Sequence, residues 1–137
     1  MTLEPGEKKT LSDVRMGKAG EFLRDAEKTL EEGLYRTSIN RSYYALLNAT
    51  RSLLILEGSN PLSHDGIVTM LSLHFIKKGL LPVELGKAYR KLLSLRSDVD
   101  YGDFDEAGRA EAEESVGTAK DAIVKIDEVR KRLYSEL

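Results

Sequence analysis

The sequence predicts an all-α fold, an antiparallel helical bundle of four long helices plus one shorter helix. Two observations lead to this prediction. Apolar residues recur at helical spacing through most of the 137 residues, and no segment alternates apolar and polar residues as a half-buried strand does. A chain of this length is expected to form one domain over residues 1–137, with a loose polar segment at residues 1–10.

Residues typical of helix ends indicate where the first two helices begin and end. Thr10 and Asp13 have capping-box spacing for the start of the first helix, and Gly33 is a plausible end. The second helix is predicted over about residues 36–57. It ends at Gly58, because glycine readily adopts the left-handed conformation that closes many helices.

The remaining helices are separated by glycine, proline and acidic segments. The third helix is predicted over about residues 67–78, with its end at Gly79. Pro82 suits the first residue of the fourth helix, since a proline there forfeits no hydrogen bond. Residues 98–108 are acidic and predicted to form a turn-rich loop. The last helix follows over residues 109–137.

Composition excludes several classes of site. The chain has no cysteine, which excludes disulfides, thiol catalysis and cysteine-based zinc sites, and its two histidines exclude a multi-histidine metal site. No metal and no cofactor is therefore predicted. The net charge of −2 argues against a uniformly basic nucleic-acid binder. Because the sequence shows neither an apolar signal segment nor a membrane-length apolar run, we expect a cytoplasmic protein.

The second helix has two distinct faces on a helical wheel. One face carries the predicted core, which consists of Ile39, Tyr43, Leu46, Leu47, Leu53 and Leu54. The opposite face, called here the second-helix stripe, contains Arg41, Tyr44, Ala45, Asn48 and Ile55. This stripe is less polar than an ordinary solvated face, so we predict that it forms a two-fold homodimer interface. The alternative is an exposed face with one tyrosine.

Several segments carry a resemblance to a known family. Residues 40–49, Asn-Arg-Ser-Tyr-Tyr-Ala-Leu-Leu-Asn-Ala, resemble the signature helix of the HEPN domain family, in particular its small stand-alone branch in bacteria and archaea. The resemblance extends over roughly residues 17–135. Further similar segments occur in the family's order at residues 31–35, 53–58, 63–67, 95–96 and 100–103.

The resemblance implies an all-α homodimer, often accompanied by a minimal nucleotidyltransferase in a toxin–antitoxin pair. Many similar proteins are metal-independent ribonucleases. In them an arginine, followed within about two turns by a histidine, meets the same pair from the second subunit. The arginine would hold phosphate and the histidine would transfer protons. Arg41 matches the arginine, but Asn48 stands where the histidine would be.

This departure decides the predicted function. Asparagine forms hydrogen bonds but does not exchange a proton near neutral pH. We therefore predict a toxin–antitoxin-type module that binds RNA, a nucleotide or a nucleotidyltransferase partner. One alternative is an active metal-independent ribonuclease with Arg41 and His64 as catalytic residues. The competing interpretation of His64 is a polar loop residue that helps to cap the third helix. A second alternative is a plain helical dimerisation or adaptor protein.

The predicted binding site is a phosphate-sized cleft beside the second helix. Arg41 is its anchor, because a guanidinium on a semi-apolar face is costly to bury without an anionic partner. The full set of predicted RNA- or nucleotide-binding residues is Arg41, Tyr44, Asn48, Asp100 and Tyr101, of which the last two rest on the resemblance alone. The alternative is an internal salt bridge from Arg41 to Asp100 or another carboxylate.

Overall fold

The computed structural model describes residues 2–103 and 107–137, and its described part is helical without any strand. Four helices are long and one is short, which confirms the predicted all-α bundle. A 3₁₀ turn, Ile55–Glu57, continues the second helix, and a π-helical turn, Ser72–Ile76, continues the third. The helices are α1 (Pro5–Glu31), α2 (Tyr35–Leu54), α3 (His64–Leu71), α4 (Val83–Tyr101) and α5 (Arg109–Glu136).

The start of α1 differs from the prediction. The helix begins at Pro5, so most of the segment expected to be loose is helical. Pro5 stands in the first turn, where its missing N–H costs no hydrogen bond. The Glu7 carboxylate accepts a hydrogen bond from the Glu4 backbone N–H at 3.0 Å. Thr10 is therefore an interior residue, and its hydroxyl donates to the Gly6 carbonyl at 3.0 Å.

The end of α4 also differs from the prediction. Residues 98–101 were expected to begin a loop, but the helix continues through them to Tyr101. Arg96 and Asp100 form an i,i+4 ion pair of 2.9 Å, which stabilises this last turn. The predicted loop also includes residues 104–106, which lie outside the described residues.

The central element is α2, which contacts every other helix of the described bundle. The predicted core positions on α2 are confirmed, because each is at most 8% exposed. Side chains from the other helices complete a single apolar cluster around them. The largest of these are Phe75, Tyr89, Leu71, Leu92 and Ile126.

Two serine hydrogen bonds fix how α1 packs on α2. The Ser12 hydroxyl donates to the Ser52 carbonyl at 2.7 Å, and the Ser38 hydroxyl donates to the Ala26 carbonyl at 2.8 Å. The two contacts define one antiparallel register, in which the numbers of opposed residues sum to 64. The buried residues of α1 are Ser12, Ala19 and Ala26, seven residues apart. Small side chains at these positions let the two helix backbones approach closely.

This packing corrects the placement of the second-helix stripe. The register sets Ala45 opposite Ala19, and both residues are fully buried within the single chain. Ile55 is fully buried as well, and Asn48 is only 9% exposed. The stripe is thus largely an internal face, with Ala45, Asn48 and Ile55 buried and Arg41 and Tyr44 partly exposed. Ala45 and Ile55 present no surface to a second copy, so their assignment to a homodimer interface is wrong.

None of the described helices combines the length and the apolar composition needed to cross a lipid bilayer.

Candidate functional site

The site is organised around Arg96, a side chain that sequence reasoning did not single out. Arg96 lies on α4 and is 8% exposed. Its Nη2 donates to the Tyr44 hydroxyl at 2.7 Å, and its Nε lies 2.9 Å from Asp100 Oδ2. The guanidinium carbon lies 5.3 to 5.6 Å from the ring centroids of Tyr43, Tyr44 and Tyr101. Arg96 therefore joins the end of α4 to the middle of α2.

The charges around Arg96 are balanced. Burial lowers the pKa of Arg96, but Tyr44 and Asp100 outweigh burial, so that the net pKa is raised and the guanidinium stays charged. Asn40 Nδ2 donates to both oxygens of the Asp100 carboxylate, at 3.1 and 3.2 Å. The Asp100 carboxylate is thus shared between Arg96 and Asn40.

Arg41 has a different environment. Its guanidinium carbon lies 5.6 Å from the centroid of the Phe22 ring, and its Nη1 donates to Asn40 Oδ1 at 3.3 Å. Within residues 2–103 and 107–137, no carboxylate forms an ion pair with Arg41. The predicted alternative of a salt bridge from Arg41 to Asp100 is therefore wrong, because Asp100 is bound by Arg96 and Asn40.

A cleft of about 200 Å³ opens beside Arg41. It lies between the first half of α2 and the end of α4. The structure thus brings together Arg41 and Asp100, which the sequence had placed in one site. The lining residues are Arg36, Thr37, Asn40, Arg41, Val99 and Asp100.

Three other predicted binding residues lie outside the lining of this cleft. Tyr44 is partly exposed and bound to Arg96, and Tyr101 is 76% exposed at the end of α4. Asn48 is turned onto its own helix, where its Nδ2 donates to the Tyr44 carbonyl at 2.8 Å.

His64 lies at the start of α3, with its ring 5.5 Å from the ring of Tyr43 between centroids. Its Nδ1 is 2.5 Å from the Tyr43 hydroxyl, and no described hydrogen bond joins it to Arg41. Burial lowers the pKa of His64, and the nearby charge of Arg96 lowers it further, so the imidazole is neutral at neutral pH. The cap of α3 is Ser63, whose hydroxyl accepts a hydrogen bond from the Gly66 N–H at 2.9 Å.

Comparison with known proteins identifies the family of this bundle. The family model for the HEPN domain matches residues 13–129, which is most of the chain. The chain belongs to the HEPN domain family. Among similar proteins, a UPF0332 protein of Thermotoga maritima is 31% identical over 129 residues, which cover 92% of this chain and 98% of the relative.

Two further comparisons concern a second relative and a solved structure. A Methanocaldococcus jannaschii protein, named as a candidate toxin, is 31% identical over 115 residues, covering 84% of this chain and 83% of the relative. The crystal structure of TT1696 from Thermus thermophilus superposes with a TM-score of 0.71 at 21% identity. That match covers 86% of this chain and 97% of the other, and it shows a shared fold.

The residues of the candidate site that sequence reasoning missed are Arg96 and Asn40. Both lie in segments that resemble the HEPN family, residues 95–96 and 40–49. The i,i+4 spacing of Arg96 and Asp100 was also visible in the sequence. Neither signal shows that Arg96 would be buried or that Asn40 would reach α4, since both facts depend on how the helices pack. The sequence predicted no metal site. Among the described residues, no group of three or more His, Asp or Glu side chains is placed to hold a metal ion.

Proposed function

We propose that this HEPN chain is a toxin-type module that binds the phosphate of RNA or of a nucleotide at Arg41. One observation carries the proposal. Arg41 has no carboxylate partner among the described residues, whereas the neighbouring carboxylate of Asp100 is already bound by Arg96 and Asn40. A guanidinium in this state presents a fork of donors that fits a phosphate group in a bidentate manner.

The surroundings of Arg41 support a nucleotide unit as the ligand. Thr37 lines the same cleft and offers a hydroxyl group for a sugar or base, while Asn40 holds Arg41 and Asp100 in place through its amide. Tyr101 is 76% exposed, and Arg96 lies over its ring, so the opposite ring face is available for stacking a base. The Arg96 charge offsets that of Asp100, so this carboxylate repels an anion in the cleft less than an unpaired one would.

Membership of the HEPN family and the relative named as a candidate toxin support the toxin-type assignment. The partners that we propose are a second copy of the chain and a minimal nucleotidyltransferase protein. Arg41 and Tyr44 remain partly exposed and are the residues of the second-helix stripe available for such contact. Light scattering at micromolar concentration tests the homodimer. A stable monomer would contradict it.

The binding proposal is tested by titrating the protein with AMP and with a short single-stranded RNA. We expect binding that weakens as salt rises, because phosphate contacts release counterions. The Arg41→Ala variant should lose about tenfold or more in affinity, as expected for loss of a charge-assisted hydrogen bond. The matched control is Arg90→Ala, since Arg90 is an exposed arginine on α4 outside the cleft.

Equal affinities for Arg41→Ala and Arg90→Ala would refute the Arg41 site. Complete absence of binding to both probes would favour the adaptor protein instead.

A second candidate function is metal-independent cleavage of RNA. The observation in its favour is His64, a partly exposed histidine whose lowered pKa keeps it neutral and whose Nδ1 is held by the Tyr43 hydroxyl. A neutral, oriented imidazole is what a general base requires. Incubation of labelled RNA with excess EDTA tests this activity. Cleavage by the wild type that is lost in both His64→Gln and Arg41→Ala would support the ribonuclease. RNA that stays intact with the wild type would refute it and favour the binding module.

A further inference from the structure

A second group of basic side chains lies at the other end of α2. Arg51 follows Arg41 at about 15 Å along the helix axis, at the rise of an α-helix. Arg15 reaches across from α1 to this point. Its Nη1 donates to the Arg51 carbonyl at 3.3 Å, and its Nη2 donates to Asn60 Oδ1 at 3.0 Å. Both arginines are partly buried.

The charges of this group are not balanced. Within the described ranges, neither Arg15 nor Arg51 forms an ion pair with a carboxylate. Burial lowers the pKa of Arg15, and the charge of Arg51 lowers it further, so the two guanidinium groups repel each other. Arg130 is the contrast. It is sheltered on α5 and pairs with Asp13 at 3.1 Å and Asp127 at 2.8 Å.

A cavity adjoins this group at Asn60, which lines the cavity and accepts the hydrogen bond from Arg15, whereas Arg15 and Arg51 themselves lie beside the lining. It has a volume of about 510 Å³ and lies between the start of α1 and the turn that follows α2. Its size falls within the range of small-molecule sites, which is about 300 to 1,000 Å³. Lys8 lines it from the face of α1 that also carries Arg15, two turns further on. The cavity also has one acidic lining residue, Glu57, and the others are Thr2, Leu3, Leu11, Ile55, Gly58 and Asn60.

We propose that Lys8, Arg15, Arg51 and Asn60 form a second phosphate-binding site, for the phosphate group of a mononucleotide or of an RNA backbone. A phosphate between the two arginines replaces their repulsion with attraction to both. The Asn60 amide accepts from Arg15 through Oδ1, which leaves its Nδ2 to donate to the ligand. The site is separate from the Arg41 cleft and does not depend on ligand binding there.

The test is a titration of the ¹⁵N-labelled protein, followed by NMR, with inorganic phosphate, AMP and a short RNA in separate experiments. We expect AMP or RNA to shift the backbone amides of residues 58–60, in the wild type and in Arg41→Ala alike. Arg51→Gln should weaken this binding about tenfold or more. Arg51→Gln is expected to fold, since its side chain makes no described hydrogen bond. Arg132→Gln, an exposed arginine on α5, is the matched control and should bind as the wild type does.

The outcomes separate the sources of the phosphate. Shifts with AMP assign a mononucleotide, and shifts with RNA but not AMP assign an RNA backbone; both support the site. Shifts with inorganic phosphate alone indicate adventitious anion binding and overturn it. Absence of shifts with all three probes, or equal affinity in Arg51→Gln and Arg132→Gln, also overturns it. The Arg41→Ala titration is measured in parallel. It therefore shows whether this second site binds even if the proposed binding at the Arg41 cleft is wrong.

Discussion

Arg96 and Asp100 lie one helical turn apart on α4, and their 2.9 Å ion pair occupies the carboxylate that lines the Arg41 cleft. Asn40 donates to the same carboxylate from α2. The two helices are therefore joined by a set of polar contacts among Arg96, Asp100 and Asn40. Arg41 donates a hydrogen bond to Asn40 of this set, but no described carboxylate forms an ion pair with it. Arg96 thus has a structural role, and Arg41 is the arginine that remains for a ligand.

Removal of the Asp100 charge should destabilise the fold. In Asp100→Asn, Arg96 stays 8% exposed but loses its ion-pair partner. We expect the free energy of unfolding to fall by about 2 kcal/mol, below the usual cost for a fully buried pair because the Asp100 side chain is partly exposed. Urea denaturation measures the change.

The control for Asp100→Asn is Glu114→Gln, which breaks the ion pair with Lys91 between two exposed side chains. Its expected cost is below about 0.5 kcal/mol. Equal losses in the two variants would mean that Tyr44 and the aromatic rings alone are sufficient to hold Arg96.

Enlargement of Ala45 should disrupt the contact between α1 and α2. Ala45 is fully buried, and the register places it opposite Ala19. Ala45→Leu should therefore cost about 1 to 3 kcal/mol of unfolding free energy through overpacking. Ala110→Leu, on the exposed face of α5, is the matched control and should change stability little. A stable Ala45→Leu variant with an altered oligomeric state would instead return Ala45 to a subunit interface.

The stability of the fold should depend on pH through His64. Burial and the charge of Arg96 hold the pKa of His64 below its ordinary value of 6.5 in the folded state. The unfolded chain then binds the proton more tightly, so the free energy of unfolding is greatest above pH 6.5 and falls as the pH drops below it. The difference between wild type and His64→Gln, measured by urea denaturation at pH 7.5 and pH 5.5, should show this loss. An identical pH dependence in both proteins would refute it.

Restoration of the family's histidine should not by itself create a ribonuclease. Asn48 is 9% exposed, and its amide is bound to the Tyr44 carbonyl on its own helix. An imidazole in Asn48→His would occupy the same sheltered position, outside the lining of the Arg41 cleft. We expect labelled RNA to remain intact in EDTA, with affinity for RNA retained. EDTA-resistant cleavage by this variant would show that only the base was missing.

The sequence determined the number, order and approximate ends of the helices. Helical periodicity and end signals are local, and Gly33, Gly58 and Gly79 all adopt the left-handed conformation expected where a helix closes. The core face of α2, with Tyr43 at its centre, was also readable, because an apolar stripe must be buried somewhere. The errors at Pro5 and Tyr101 arose where side-chain contacts extended a helix beyond its composition signals.

Only the tertiary structure decided what covers the rest of α2 and which charges meet. Ala45 looked exposed on a helical wheel, but the small residues of α1 pack directly against that face. From the sequence, Asp100 could have paired with any nearby arginine, and in the folded chain it forms an ion pair with Arg96. Burial and ion pairing depend on contacts between residues far apart in the chain, such as Tyr44 and Arg96. Spacing within one helix carries no information about them.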